Sequence, residues 1–239
     1  MSFRFIFWTV LACLVVSGTA GWIFRGDRTP DPEEQALAAY QAALQSEKRA
    51  AEAGGVEDWT RYARSLVTAP EQFRDVKQAM TWYRKAADKG YAPAQVGIGD
   101  LYAQGLGVRE DHYRAQEWYM TAARLSRNAD AHFKVGEGYF RGLGVPQDYG
   151  AAVSYYRVAA EGGHPVAQYL LGSMYEAGWG VEQDLIEAWV WYKRALPGAA
   201  QISTHEETYD VKHALERVTS HMNRSQLDVA HKKFDALKK

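Results

Sequence analysis

Residues 94–198 carry nearly the same pattern three times, and a chain built in this way has few folds open to it. The element Gly-x-Gly-Val recurs as Gly105-Leu106-Gly107-Val108, Gly142-Leu143-Gly144-Val145 and Gly178-Trp179-Gly180-Val181, in steps of 37 and 36 residues. An aspartate follows each at a fixed offset (Asp111, Asp148, Asp184), and then an aromatic pair (Trp118-Tyr119, Tyr155-Tyr156, Trp191-Tyr192). Ala122-Ala123 and Ala159-Ala160 close two units, and Ala195-Leu196 closes the third. A fixed period in this range is the signature of a solenoid, in which each unit buries its apolar face only against its neighbours. The spacing predicts two helices per unit. The first covers about 94–104 and is closed by Gly105, because glycine takes the left-handed conformation without steric cost. The second is capped by Asp111, whose carboxylate accepts from free backbone amides. Asp75-Val76-Lys77-Gln78 and Asp184-Leu185-Ile186-Glu187 have capping-box spacing.

The chain resembles the Sel-one-like repeat family, a branch of the tetratricopeptide-like α-solenoids. The resemblance rests on Gly99, Tyr102, Gly107, Asp111, Trp118 and Ala123 in one unit. Gly136, Tyr139, Gly144, Asp148, Tyr156 and Ala160 carry it in the next, and Gly172, Tyr175, Gly180, Asp184, Trp191 and Ala195 in the third. It implies an all-α fold, a right-handed solenoid of antiparallel helix pairs with about four repeats, and a non-catalytic adaptor that binds another protein. It implies no catalytic, cofactor-binding or metal-binding residues. Some family members are secreted and cysteine-rich; this chain has one cysteine, Cys13, inside its N-terminal apolar run.

The expected organisation has four parts. Residues 1–25 are a membrane anchor or signal segment, and 26–57 a linker followed by a helix that Asp31 caps and Pro32 opens. Residues 58–198 hold the repeats: a degenerate unit at 58–93, then 94–130, 131–166 and 167–198. Residues 199–239 are C-terminal capping helices, read as a loop over 199–204, a helix from His205 to Met222 and a second helix capped by Ser225. Residues 5–24 form an uncharged run of 20 between Arg4 and Arg25, long enough to cross a bilayer. One reading is a retained anchor; the other is a signal peptide cut after Gly18-Thr19-Ala20. Apolarity continues through Gly21-Trp22-Ile23-Phe24, with Trp22 suited to a membrane interface, and this favours the anchor. A short tail before a single span favours export of the residues C-terminal to it. The expected location is therefore a single-pass inner-membrane protein with its solenoid in the periplasm, or a secreted or periplasmic protein after cleavage.

A net charge of −1 and the lack of a basic stripe argue against nucleic acid. The seven histidines (His112, His132, His164, His205, His213, His221, His231) show no metal-site spacing. The Gly-x-Gly elements lack the third glycine and the preceding strand of a dinucleotide fingerprint, and there is no Gly-x-Ser-x-Gly elbow. What varies between units therefore carries the specificity. One first-helix slot holds Val96, Phe133 and Tyr169; the next turn holds Asp100, Glu137 and Ser173; a third holds Gln104, Arg141 and Ala177. First helices line the concave face of related solenoids, so Phe133 and Tyr169 are the candidate partner anchors, with Glu137 and Arg141 as polar contacts. The competing reading places Phe133 and Tyr169 in the core between units. Binding of cell-wall glycan by stacking on Tyr169 is a second functional reading, and an enzyme is a third.

Overall fold

The computed structural model describes residues 31–237. The apolar run at 5–24, Cys13 and the last two lysines lie outside the described residues. Among the described residues all regular structure is helical, and no helix is long and apolar enough to cross a membrane.

The chain runs through α1 (Pro32–Ala53), α2 (Val56–Thr68), α3 (Val76–Ala87), α4 (Ala92–Gln104), α5 (His112–Leu125), α6 (Ala129–Arg141) and α7 (Tyr149–Glu161). It continues through α8 (Pro165–Ala177), α9 (Leu185–Ala195), α10 (Ala199–His205), α11 (Val211–His221) and α12 (Arg224–Ala236). Packing is most extensive within the pairs α2–α3, α4–α5, α6–α7 and α8–α9, and each pair then packs on the next. The first helices α2, α4 and α6 also touch one another in succession.

One small-to-large pairing sets the geometry of each unit. A Cβ at Gly99 would lie 2.7 Å from Cδ1 of Tyr119, one at Gly136 2.7 Å from Cδ1 of Tyr156, and one at Gly172 2.9 Å from Cδ1 of Tyr192. The bare first helix thus admits a tyrosine from the second. These rings are 0–5% exposed, and burying a side chain of this size contributes roughly 1.5–3 kcal/mol. The loops close by two bonds per unit. Asp111, Asp148 and Asp184 cap α5, α7 and α9, accepting from Arg114, Ala151 and Glu187 amides at 2.9–3.0 Å. Their own N–H groups return to the carbonyls of Tyr102, Tyr139 and Tyr175 at 2.9–3.0 Å. The degenerate unit keeps both links, with Asp75 accepting from Gln78 and donating to Leu66, although Pro70 and a 3₁₀ turn (Glu71–Phe73) replace its glycines.

The buried residues fall into two clusters. One runs from Ala51 through Tyr83, Ile98 and Tyr119 to Val135. The other runs from Phe133 through Tyr156, Leu171 and Tyr192 to the C-terminal helices. Helix α6 supplies Val135 to the first and Phe133 to the second, so the seam runs along it.

Several local expectations are corrected. Residues 199–204 are helical rather than a loop, because Ile202 is fully buried and draws a helix of about two turns onto α8. The helix expected from His205 starts at Val211: Asp210 caps it, accepting from the amides of Lys212 and His213, and residues 206–210 form a turn. Asn223, not Ser225, caps the last helix in a full capping box with Gln226. At Asp75 and Asp184 only the forward half of the box forms. Trp189 is buried, with its indole N–H donating to Thr219 and its ring edge-on to His231 and Phe234.

Candidate functional site

The variable slots of the first helices recur four residues apart, on one helix face. Val96 is buried. Asp100 accepts from the Tyr119 hydroxyl at 2.8 Å and pairs with Lys134 at 3.1 Å. Phe133, 4% exposed, stacks on His164 at 4.2 Å between centroids and on Tyr156 at 5.9 Å, and meets the ring of His205 edge-on at 5.5 Å. Tyr169, 9% exposed, packs on Tyr209 at 4.8 Å and on Tyr192 at 5.4 Å. Neither ring is free to serve as an exposed anchor, and Tyr169 offers no open face for stacking a sugar. The polar residues beside them are better placed. Arg141 is exposed, and it pairs with Glu137 at 3.4 Å.

What covers the two rings is the chain itself. His205, at the end of α10, brings Nε2 to 3.7 Å from Glu137. Tyr209, in the turn before α11, lies on Tyr169 with its hydroxyl facing Arg141. From α11, Arg217 forms a two-pronged pair with Glu176 of α8, Nε to Oε1 at 2.7 Å and Nη2 to Oε2 at 2.8 Å. Burial alone would raise the Glu176 carboxyl, but the hydrogen bonds from Arg217 and Tyr192 outweigh it and leave its pKa below the usual value. Four residues chosen from sequence, Phe133, Glu137, Arg141 and Tyr169, thus meet around one segment, 205–209. The repeat register shows the slots but not their occupant, because the sequence pattern places 206–210 in a helix. The break was signalled by Asp210, a capping residue directly before the Val211, Leu215, Val218 stripe.

His164 joins the site to the backbone. It sits in the unit position held by Asn128 one repeat earlier, and its Nδ1 accepts from the Ala167 amide at 3.1 Å, capping α8. Burial lowers its pKa from the usual 6.5; Asp130, 3.6 Å from Nε2, opposes this, and His205 and Lys134 reinforce it. The folded-state pKa lies below the unfolded one, so the unfolded chain takes up the proton first on acidification. Stability from this residue is whole above pH 6.5 and is lost as pH falls through the folded value. The melting temperature is therefore expected to fall between about pH 7 and 5. In His164→Asn, which keeps a capping side chain, the fall should be smaller. Equal slopes for the two proteins in thermal melts across that range would refute the assignment.

The loops of the third and fourth units expose a second aromatic group, joined to Tyr156 through Phe140. Trp179, in the place of Leu106 and Leu143, is 45% exposed and stacks on Tyr149 at 5.8 Å, with Phe140 6.0 Å away. No group of histidines, cysteines and carboxylates able to hold a metal occurs among the described residues.

The family model described as Sel1 repeat matches residues 70–91, 92–126, 129–164 and 165–196. Among solved structures, a protective antigen of uropathogenic Escherichia coli strains with the SLR fold is 30% identical, with a TM-score of 0.66 over 82% of this chain and 40% of its own. A Sel1 repeat protein from Oxalobacter formigenes is 27% identical, with a TM-score of 0.59 over 79% and 85% of the two chains. Among curated proteins, chitin synthase regulatory factor 3 of Schizosaccharomyces pombe is 44% identical over 48 residues, 20% of this chain and 5% of that protein. The chain thus spans a small part of that curated relative and less than half of the Escherichia coli antigen.

Proposed function

This chain belongs to the Sel1 repeat family, whose members mediate protein–protein interaction, and from that premise we propose that it is a membrane-tethered, non-catalytic adaptor. It binds an envelope protein along the face formed by α4, α6 and α8. The observation that carries this reading is the division of labour between positions. Gly99, Tyr102, Gly107 and Asp111, with their counterparts, build the units. The slots at 96, 133 and 169, at 100, 137 and 173, and at 104, 141 and 177 differ in size and charge while sharing that face. A preformed curved surface lowers the ordering cost of binding, so affinity can come from a few contacts. The apolar run at 5–24 supports tethering and export of the solenoid to the periplasm, with release after cleavage as the variant of the same reading.

The test is photo-crosslinking in cells from positions 141 and 173 of the full chain, which border the face without belonging to its buried core. One dominant adduct with a membrane or envelope protein is the expected result. The stacked, exposed Trp179 and Tyr149 rings favour glycan binding as the second reading. No protein adduct from either position, together with retention on insoluble peptidoglycan, would replace the adaptor reading with that one.

A further inference from the structure

The segment that covers Phe133 and Tyr169 is weakly held between two strongly held points. Ile202 and Val211, on either side, are 0% and 2% exposed. Between them no residue is buried. The internal backbone bonds there are those of a turn, Glu206 N–H to the Ile202 carbonyl at 3.2 Å and Tyr209 N–H to the Glu206 carbonyl at 3.0 Å, joined by two long side-chain bonds, Ser203 Oγ to the Tyr209 carbonyl and Thr208 Oγ1 to Glu206, both at 3.5 Å. Segments with little buried area and exposed backbone open at low free-energy cost. This one can bow away while both flanking anchors stay in place.

A hydroxyl beneath it marks the site as incompletely satisfied. The buried tyrosine of the second helix finds a carboxylate on the first helix in the neighbouring units, Tyr119 on Asp100 at 2.8 Å and Tyr192 on Glu176 at 2.7 Å. Tyr156, fully buried, has no hydrogen-bond partner for its hydroxyl among the described residues. The carboxylate in the slot of Asp100 is Glu137, and it is turned to Arg141 and His205. Closure by 205–209 therefore coincides with an unmet buried donor, a costly arrangement.

We propose that the face around Phe133, Glu137, Arg141 and Tyr169 is a peptide site that the chain closes with its own residues 205–209, and that the partner it fits is a protein segment in a turn, with an imidazole or ammonium side chain followed four positions later by a tyrosine. The resident segment is the template. Its His205 ring addresses Phe133 and Glu137, and its Tyr209 ring addresses Tyr169 with the hydroxyl towards Arg141. An incoming segment that repeats these contacts and supplies an acceptor to Tyr156 gains a bond that the resident lacks. The tethered segment competes at high effective concentration, so the apparent affinity for a partner is reduced by the fraction of open chains. This inference rests on the adaptor reading and names the chemistry of its partner.

The experiment uses the full chain and a fluorescent nine-residue peptide, Ser-Thr-His-Glu-Glu-Thr-Tyr-Asp-Val, copied from 203–211. Its control has alanine for the histidine and tyrosine. Binding is read by anisotropy on the wild type, on His205→Ala/Tyr209→Ala, and on that double variant with Glu137→Gln added. The double variant should bind the peptide at least about tenfold more tightly than the wild type, which corresponds to a site closed about nine-tenths of the time. Glu137→Gln should reverse most of the gain, and the control peptide should not bind. Equal affinity for wild type and double variant, or no binding by a double variant that melts normally, would overturn the proposal. Should the double variant misfold, hydrogen exchange on the wild type decides: amides of 206–210 must exchange at least about a hundredfold faster than those in the middle of α8 and α11, and comparable protection overturns it. A crosslinked partner at 141 or 173 without peptide binding leaves the adaptor reading standing and removes only the resident-segment one.

Discussion

Replacing Gly144 by alanine is expected to lower the melting temperature by roughly 4–20 °C, at about 2–4 °C per kcal/mol for a domain of this size. Two costs combine. Gly144 has φ of +73°, a conformation that costs an L-residue roughly 1–2 kcal/mol. A Cβ there would also overlap backbone of the preceding unit, with the His112 carbonyl carbon at 2.5 Å and the Tyr113 nitrogen at 2.8 Å. Backbone has little room to yield, and forced overpacking adds about 1–3 kcal/mol. Gly180 repeats the arrangement against Tyr149 and Gly150 one unit later. Gly163 separates the two costs, because its φ is +87° but nothing lies within 4 Å of its Cβ position; Gly163→Ala should cost only about 1 kcal/mol. Thermal melts of Gly144→Ala and Gly163→Ala side by side check this. Equal losses would mean that contact between loops and the preceding unit contributes nothing.

Tyr192→Ala should cost about 4 kcal/mol, since it removes a fully buried ring from the cleft above Gly172. The three tyrosine-to-phenylalanine changes divide by their acceptors. Tyr192→Phe removes a donor to the Glu176 carboxylate and should cost about 1.5 kcal/mol. Tyr119→Phe should cost less, because Asp100 is the more solvated carboxylate, 34% exposed against 20% for Glu176. Tyr156→Phe removes a hydroxyl with no partner among the described residues and should be neutral or stabilising by about 1 kcal/mol. Urea denaturation of the four variants provides the comparison. A loss at Tyr156→Phe equal to that at Tyr192→Phe would show that the hydroxyl is bonded in solution and would remove one support of the self-closure proposal.

The units were readable because each constraint on them is local and repeated. Gly105 and Asp111 act within a few residues of their own positions, and three copies of the same pattern leave little room for another reading. The C-terminal part had no second copy to check against. Ile202 gives no periodic signal by itself, so its burial against α8, and the short helix that results, were hidden. The same limit applied to the site. The varying slots at 133, 137, 141 and 169 could be listed from the repeat register. That His205 and Tyr209 cover them depends on contacts 40 to 72 positions apart in the chain, and no local rule reports these. Tyr156 differs from its counterparts for two reasons: Phe140 stands where the next unit has Glu176, which the register shows, and Glu137, in the slot of Asp100, turns to Arg141 and His205, which it does not.

The seam along α6 bears on how such a chain can change its length. Each half of the core is filled from its own side, with Val135 facing one and Phe133 the other. A further unit of about 36 residues spliced in at this helix would meet, on both flanks, the kind of surface that any unit offers its neighbour. The ends, with α1 on one side and α11 and α12 on the other, would not need to repack. The face of the first helices can thus grow or shrink by whole units through duplication or deletion of genetic segments, while the turn at 206–210 keeps its place on the last two units. Span and closure are then inherited as separate traits.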